Sequence, residues 1–174
     1  AVPRFYEKIY SAVFEKLQAA SERKKKIFKW SFKIGEEVSL KKRENKAIPP
    51  GLKLRHTVAD RLVLKKIRRI VGGRIRFFPC AGAPLARNIE EFFHAAGIFV
   101  TYGYGLTETT ATVNAMKVPF PTGHGRKSIE GVHLRIAENG EILFKGPTVT
   151  TGYYNKPQET ASSFIDGWFR TGDV

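Results

Sequence analysis

The sequence predicts an α/β protein, with a strand–helix–strand unit on a parallel sheet followed by a mainly antiparallel β portion. Two observations carry the parallel unit. Arg74–Phe78 and Ile98–Thr101 are short apolar runs, and between them Leu85, Ile89, Phe92, Phe93 and Ala96 recur at helical spacing. A third carries the β portion. Val132, Leu134 and Ile136 alternate with polar residues, as do Ile142 and Phe144, and Asn139-Gly140 between them is a hairpin signal.

The elements follow in order. Residues 3–20 read as an amphipathic helix, with Phe5, Ile9, Val13 and Leu17 at i+4 and Tyr6, Tyr10 and Phe14 beside them. Ser21–Lys29 is a charged continuation that leads to Trp30, Phe32 and Ile34, with Gly35 as its stop. Residues 36–53, with Lys41-Lys42-Arg43 and Pro49-Pro50-Gly51, read as a loop. A second helix is expected over 59–71, with Ala59, Leu62, Val63, Ile67, Ile70 and Val71 on one face and Gly72-Gly73 after it. Cys80–Leu85 is a turn into the next helix, which Gly97 ends. Pro119, Pro121, Gly123 and Gly125 mark a loop, and Pro157 suits the first turn of a short helix over 157–164. Domain organisation is read as a partial α/β subdomain over 1–115 with a basic helical N-terminal segment, and a partial β-rich subdomain over 116–174.

Charge is unevenly placed. The net charge is +14, yet residues 1–70 hold 20 Lys and Arg against 7 Asp and Glu, while residues 71–174 hold 10 against 9. A basic stripe suits phosphates, acidic lipid or a CoA-like polyanion, and equally a solvated face. No apolar run reaches the roughly 20 residues of a membrane span. Cys80 is the single cysteine, which excludes an internal disulfide and fits a reducing compartment. Together with four scattered histidines it gives no metal-ligand spacing.

The densest chemistry lies in Tyr102-Gly103-Tyr104-Gly105-Leu106-Thr107-Glu108-Thr109, just after an apolar strand. Glycine allows close backbone approach to a ligand, and a tyrosine ring can stack on a purine. A hydroxyl can bond phosphate, and a carboxylate can hold Mg²⁺. The strand order predicts that this loop and the 80–84 turn leave the carboxyl ends of parallel strands, where α/β folds place ligands. The same residues have structural readings. Thr107 suits a cap, Glu108 a surface charge, and Tyr104 a core ring. Cys80 reads as a small buried hydrophobe, His94 as a surface or packing histidine, and His124 has no reading.

Four patches together resemble the adenylate-forming (AMP-binding) superfamily. Tyr104-Gly105-Leu106-Thr107-Glu108 matches its YGxTE signature, and Ala81-Gly82-Ala83-Pro84-Leu85 is similar to its GGAPL loop. Gly140-Glu141-Ile142 through Gly146, Val149, Gly152-Tyr153, Pro157 and Thr160 resembles its GEI…GY segment, and Gly167–Asp173 its GWFRTGD segment. Val2–Tyr10 and the basic helix before Gly72-Gly73 resemble the long-chain fatty acyl-CoA synthetase branch. Tyr102 departs from the pattern, standing where many relatives carry a polar residue.

The resemblance implies a fragment of the large N-terminal domain of such an enzyme. It implies ATP-dependent activation of a fatty acid as acyl-adenylate, transfer to CoA, and Mg²⁺ as cofactor. Thr107 would contact the α-phosphate, and Glu108 would hold the metal. Gly103, Tyr104 and Gly105 would pack against the nucleotide with Gly82, Ala83 and Pro84. Asp173 would accept the ribose hydroxyls. The family's Ser/Thr/Gly-rich phosphate loop upstream and its lysine-bearing C-terminal domain downstream are not among the 174 residues. The chain is therefore expected to be an internal fragment with little activity by itself. Expected partners are fatty acid, ATP and CoA, with anionic-membrane contact through residues 1–70 and no nucleic acid. The expected location is cytoplasmic and peripheral to the membrane. Two alternatives stay open: an adenylation domain that loads an aryl or amino acid onto a carrier protein, and a basic nucleic-acid or membrane-surface module.

Overall fold

The computed structural model describes residues 1–75, 77–115 and 127–174. The Pro119–Gly125 loop, His124 and Arg76 lie outside the described residues. Two compact units divide the described chain, Ala1–Tyr102 and residues 103–115 with 127–174.

The first unit is a helical layer on two parallel strands. Helix α1 (Pro3–Gln18) starts with proline at N1, where a missing N–H costs nothing. Helix α2 (Glu22–Arg43) runs straight through Gly35, the expected stop, and through the first part of the expected loop. The reason is packing. A Cβ on Gly35 would stand 2.2 Å from the Ala95 carbonyl oxygen, so glycine here admits a neighbouring helix rather than ending its own. Ile34 and Val38 hold α2 to the core on either side.

The second expected helix begins earlier than the sequence suggests. Helix α3 (Pro50–Ala59) starts with Pro50 in its first turn, then passes through a π turn (Asp60–Leu64) into α4 (Lys65–Ile70). The extra residue of the π turn rotates the apolar face. Ala59 and Ile67 are buried as expected, but Leu62 and Ile70 are exposed and Leu64 is fully buried.

Strand β1 (Phe77–Cys80) starts three residues and ends two residues later than the expected Arg74–Phe78. It pairs in parallel with β2 (Phe99–Tyr104), Phe77 opposite Phe99 and Cys80 opposite Tyr102. Helix α5 (Arg87–Ala95) connects them, and Leu85, Ile89, Phe92, Phe93 and Ala96 are all buried as their spacing predicts. Aromatic rings fill the space between helices. Phe32 stacks on Phe28 at 4.4 Å and on Phe92 at 5.0 Å, while Tyr6 meets Phe93 edge-on at 5.4 Å. The Tyr6 hydroxyl donates to the Pro79 carbonyl at 3.0 Å, and burial pushes its pKa up.

His94 is a packing histidine. Only 4% exposed, it accepts the Val100 N–H on Nε2 at 3.2 Å, and burial lowers its pKa. Cys80 is fully buried and its thiol pKa is raised by burial, which suits a small apolar role. Tyr102 donates to a Glu90 carboxylate oxygen at 2.9 Å.

The second unit is antiparallel. The end of β2 pairs with β3 (Asn114–Ala115), and β3 with β4 (Lys127–Ser128). A four-stranded sheet follows in the order β5 (His133–Ile136), β6 (Ile142–Lys145), β8 (Trp168–Arg170), β7 (Phe164–Ile165). The β5–β6 hairpin closes on a five-residue connection over 137–141. In it Gly140 takes a φ of +87°, and the Asn139 side chain accepts the Glu141 N–H. Helix α6 (Pro157–Ser162) begins at Pro157, as expected. Val113, Val132 and Phe144 form the core, with the Tyr104 ring 5.9 Å from that of Phe144.

Candidate active site

The sequence-predicted residues fall into two groups, one in each unit. In the first unit Gly82, Ala83 and Pro84 form an exposed turn after β1, between buried Cys80 and buried Leu85. Gly82 takes a φ of +88°, which an L side chain rarely adopts.

In the second unit Gly103, Tyr104, Gly105, Thr107, Glu108 and Asp173 lie on a loop system with its own hydrogen-bond frame. Backbone contacts fix the turn after β2. A Cβ on Gly105 would lie 1.6 Å from the Ala111 carbonyl oxygen, so only glycine fits. One on Gly103 would press on Thr112 at 3.1 Å. A short 3₁₀ turn (Thr107–Thr109) follows. Thr109 holds it, since its fully buried hydroxyl accepts the Leu106 N–H at 2.8 Å. The capping role that Thr107 also suited therefore falls to Thr109. Thr107 itself is exposed, and its hydroxyl makes no hydrogen bond to another described residue.

Glu108 is tied at both ends. Its carbonyl accepts the Thr150 N–H at 2.6 Å, and its Oε1 accepts the Tyr153 hydroxyl at 2.8 Å. The hydrogen bond to that carboxylate raises the Tyr153 pKa. Thr110 donates to the Thr148 carbonyl at 2.8 Å, so residues 148–153 run beside the 107–110 turn. Tyr153 is held in turn, its N–H donating to Thr160 Oγ1 at 2.9 Å.

Asp173 accepts the Tyr104 hydroxyl on Oδ2. Burial and this carboxylate together push the Tyr104 pKa up to about 12, which keeps the phenol a proton donor across neutral pH. The strand end around Asp173 is pinned from several sides. Its N–H donates to Thr171 Oγ1 at 3.1 Å, and its carbonyl accepts the Ile142 N–H at 2.9 Å. Buried Glu141 accepts the Gly172 N–H at 3.0 Å and receives Arg170 on Oε2 at 3.1 and 3.2 Å. The Arg170 guanidinium first, then the Gly172 N–H, hold the Glu141 carboxyl below the usual range.

Tyr153 was missed as a site residue. The sequence put it in a Gly-Tyr motif but gave no sign that its hydroxyl meets a carboxylate 45 residues earlier. Among the described residues no group of three or more His, Cys, Asp or Glu could hold a metal by itself. Glu108 suits a hard cation that keeps water and takes phosphate oxygens, the usual habit of Mg²⁺.

A parallel-sheet unit, a Tyr-Gly-Leu-Thr-Glu loop closed around Gly105 and an aspartate bonded to that loop's tyrosine are features in keeping with the adenylate-forming class. The chain belongs to the AMP-binding enzyme family, whose profile matches residues 1–154. It is 38% identical over 181 residues to long-chain-fatty-acid–CoA ligase FadD15 of Mycobacterium bovis, covering 100% of this chain and 29% of that protein. It is 34% identical over 192 residues to long chain acyl-CoA synthetase 3 of Arabidopsis thaliana, covering 100% of this chain and 28% of that protein. The chain thus spans less than a third of the length of these relatives. Among solved structures, apo MatB from Rhodopseudomonas palustris matches with a TM-score of 0.55 at 28% identity, over 69% of this chain and 26% of that one. O-succinylbenzoate CoA synthetase from Bacillus subtilis, solved with ATP and a magnesium ion, matches with a TM-score of 0.53 at 26% identity, over 66% and 26%.

Proposed function

We propose that the full chain carrying this sequence activates a long-chain fatty acid with ATP and passes the acyl group to CoA. The observation that carries the reading is the Tyr104–Asp173 hydrogen bond, which joins two signature patches 69 residues apart. In the first step a carboxylate oxygen of the fatty acid attacks the α-phosphorus. The bond from that phosphorus to the bridging oxygen breaks, and pyrophosphate leaves. In the second step the CoA thiol gives up its proton to solvent and its sulfur attacks the acyl carbon, the bond from that carbon to the phosphate oxygen breaks, and AMP departs.

The roles follow from the groups present. The exposed Thr107 hydroxyl donates to an α-phosphate oxygen. Asp173 has one oxygen on Tyr104 and a second to accept ribose hydroxyls. Gly103, Tyr104 and Gly105 lie against the nucleotide. Glu108, oriented by Tyr153, is the ligand for Mg²⁺, which when bound neutralises phosphate charge. Catalysis is positioning and charge neutralisation.

The relatives named long-chain-fatty-acid–CoA ligase support the fatty-acyl substrate. Likeness to an o-succinylbenzoate CoA synthetase makes an aryl acid the second reading. Pyrophosphate exchange by the full chain, run with hexadecanoate, benzoate-type acids and amino acids, tests both. Exchange that responds to the aryl or amino acids and not to hexadecanoate would overturn the first reading.

The first 70 residues carry a related proposal, cytoplasmic placement with contact to an anionic membrane surface. No helix among the described residues is long and apolar enough to cross a membrane. Leu54, Val58 and Leu62 are exposed at i+4 spacing among Lys53, Arg55, Arg61, Lys65 and Lys66, the pattern of an interfacial helix. Co-sedimentation with phosphatidylglycerol vesicles but not phosphatidylcholine vesicles is expected, and L54S/L62S should weaken it.

A further inference from the structure

The first unit contains a polar cavity of about 410 Å³ where α2, the π turn and α5 meet. That volume is in the range of small-molecule sites, roughly 300–1,000 Å³. Lys42 of α2, Arg61 of the π turn and Lys65 of α4 line it, and none of the three forms an ion pair among the described residues. Arg68 lines it too, but Asp60 holds it at 2.7 Å and the Ala96 carbonyl at 2.9 Å. Asp60 is the single carboxylate in the lining, so its charge is already matched and three cations remain. Ser39 adds a second, independent observation. It lines the same cavity, is 5% exposed, and its hydroxyl has no hydrogen-bond partner among the described residues. Buried hydroxyls are nearly always paired, so an orphan beside a cationic cavity points to a ligand that supplies acceptors. The π turn lies in the wall, and such turns recur at functional sites.

We propose that this cavity binds a phosphate-bearing anion, with Lys42, Arg61 and Lys65 on the phosphate oxygens and Ser39 donating to the bound group. Three unpaired cations match a group with a charge near −2 and several acceptor oxygens better than a single carboxylate. The volume leaves room for the group that carries the phosphate. Two sources share this chemistry: a soluble phosphate ester and the headgroup of an anionic phospholipid. The site lies apart in sequence from the residues assigned to adenylation, and its test does not depend on that assignment.

His56 lines the cavity and reports on it. Burial pushes its pKa down, Lys42 and Arg68 push the same way, and Asp60 opposes them. A phosphate bound beside it adds negative charge and raises that pKa. The experiment follows His56 by NMR in the full chain labelled with ¹³C-histidine, in inorganic phosphate and in chloride at matched ionic strength. An upward shift of about 0.5 unit or more in phosphate is expected. K42A/K65A, which changes only exposed side chains, should remove the shift and weaken phosphate binding about tenfold or more, with an unchanged circular dichroism spectrum. A parallel arm measures binding to phosphatidic acid vesicles against phosphatidylcholine vesicles. A His56 response to inorganic phosphate assigns the soluble source. Binding to phosphatidic acid alone, lost in K42A/K65A, assigns the lipid. No His56 shift together with vesicle binding that K42A/K65A leaves intact overturns the proposal.

Discussion

The Tyr104 hydroxyl donates a hydrogen bond to the Asp173 carboxylate, and so ties the end of β2 to the strand end after β8. Neither residue could hold this geometry alone. Tyr104 is fixed by packing near Phe144, and Asp173 by Thr171 and Ile142. The pair therefore holds one carboxylate in a set direction, the group that the proposed function assigns to a ribose.

Removing the two partners should have unequal effects. Asp173→Ala deletes a charged acceptor, and hydrogen bonds to charged groups contribute about 1.5–3 kcal/mol. The KM for ATP in pyrophosphate exchange should rise about tenfold to a hundredfold. Tyr104→Phe leaves the carboxylate but frees it to turn, and the rise should be only several-fold. An Asp173→Ala enzyme with an unaltered KM for ATP would refute the ribose role.

Gly35→Ala tests whether packing overrides propensity. In an open helix the change would stabilise by about 1 kcal/mol. Here the new methyl would stand 2.2 Å from the Ala95 carbonyl oxygen, so α2 must move away from α5. Net destabilisation of about 1–3 kcal/mol is expected from thermal or urea unfolding. A stabilised variant would mean that α2 and α5 are less closely packed than described.

That glycine also marks how far the sequence could be read. The periodic apolar residues of α5 placed its buried face correctly, because Ile89, Phe92 and Phe93 all face one core, joined by Leu85 just before the helix. Gly35 read as a stop because a glycine that ends a helix and a glycine that admits a neighbour look alike in one dimension. The π turn at Asp60–Leu64 was likewise invisible, and it exchanged Leu62 for Leu64 at the buried face. At the candidate site the motif residues were legible as short patterns. Their frame was not. Thr109 as the loop's staple and Tyr153 on Glu108 are contacts that close only in three dimensions.

Glu141 gives a pH dependence with a definite sign. Arg170 and the Gly172 N–H lower its folded pKa below the unfolded value of about 4.3. The stabilisation is fully present above that unfolded value and is lost as pH falls through the lower folded one. Unfolding midpoints measured from pH 6 down to pH 3 should decline, and Glu141→Gln should flatten the decline while lowering stability at pH 6. An identical acid limb in wild type and variant would show that Glu141 does not titrate between the two states.

Gly105→Ala should be the most damaging change in the loop. Its Cβ would fall 1.6 Å from the Ala111 carbonyl oxygen, a contact that no side-chain rotation relieves. The 105–111 turn must open, and with it the 3₁₀ turn that carries Thr107 and Glu108. Pyrophosphate exchange should fall at least a hundredfold, while the far-UV circular dichroism stays close to wild type because the helices belong mainly to the first unit.

Tyr153→Phe isolates the orientation of Glu108 from its charge. The variant keeps the ring and loses the donor that holds Oε1 at 2.8 Å. A carboxylate freed in this way still binds a cation but must first be ordered, and that ordering is a part of the roughly 1.5–3 kcal/mol that a hydrogen bond to a charged group contributes. The Mg²⁺ concentration for half-maximal exchange should therefore rise about fivefold, with the rate at saturating Mg²⁺ nearly restored. Glu108→Gln should behave differently, because loss of the charge removes the ligand itself and excess Mg²⁺ should not rescue the rate. If Tyr153→Phe lowers the saturated rate as much as Glu108→Gln does, the tyrosine acts on the reacting groups rather than on the position of Glu108.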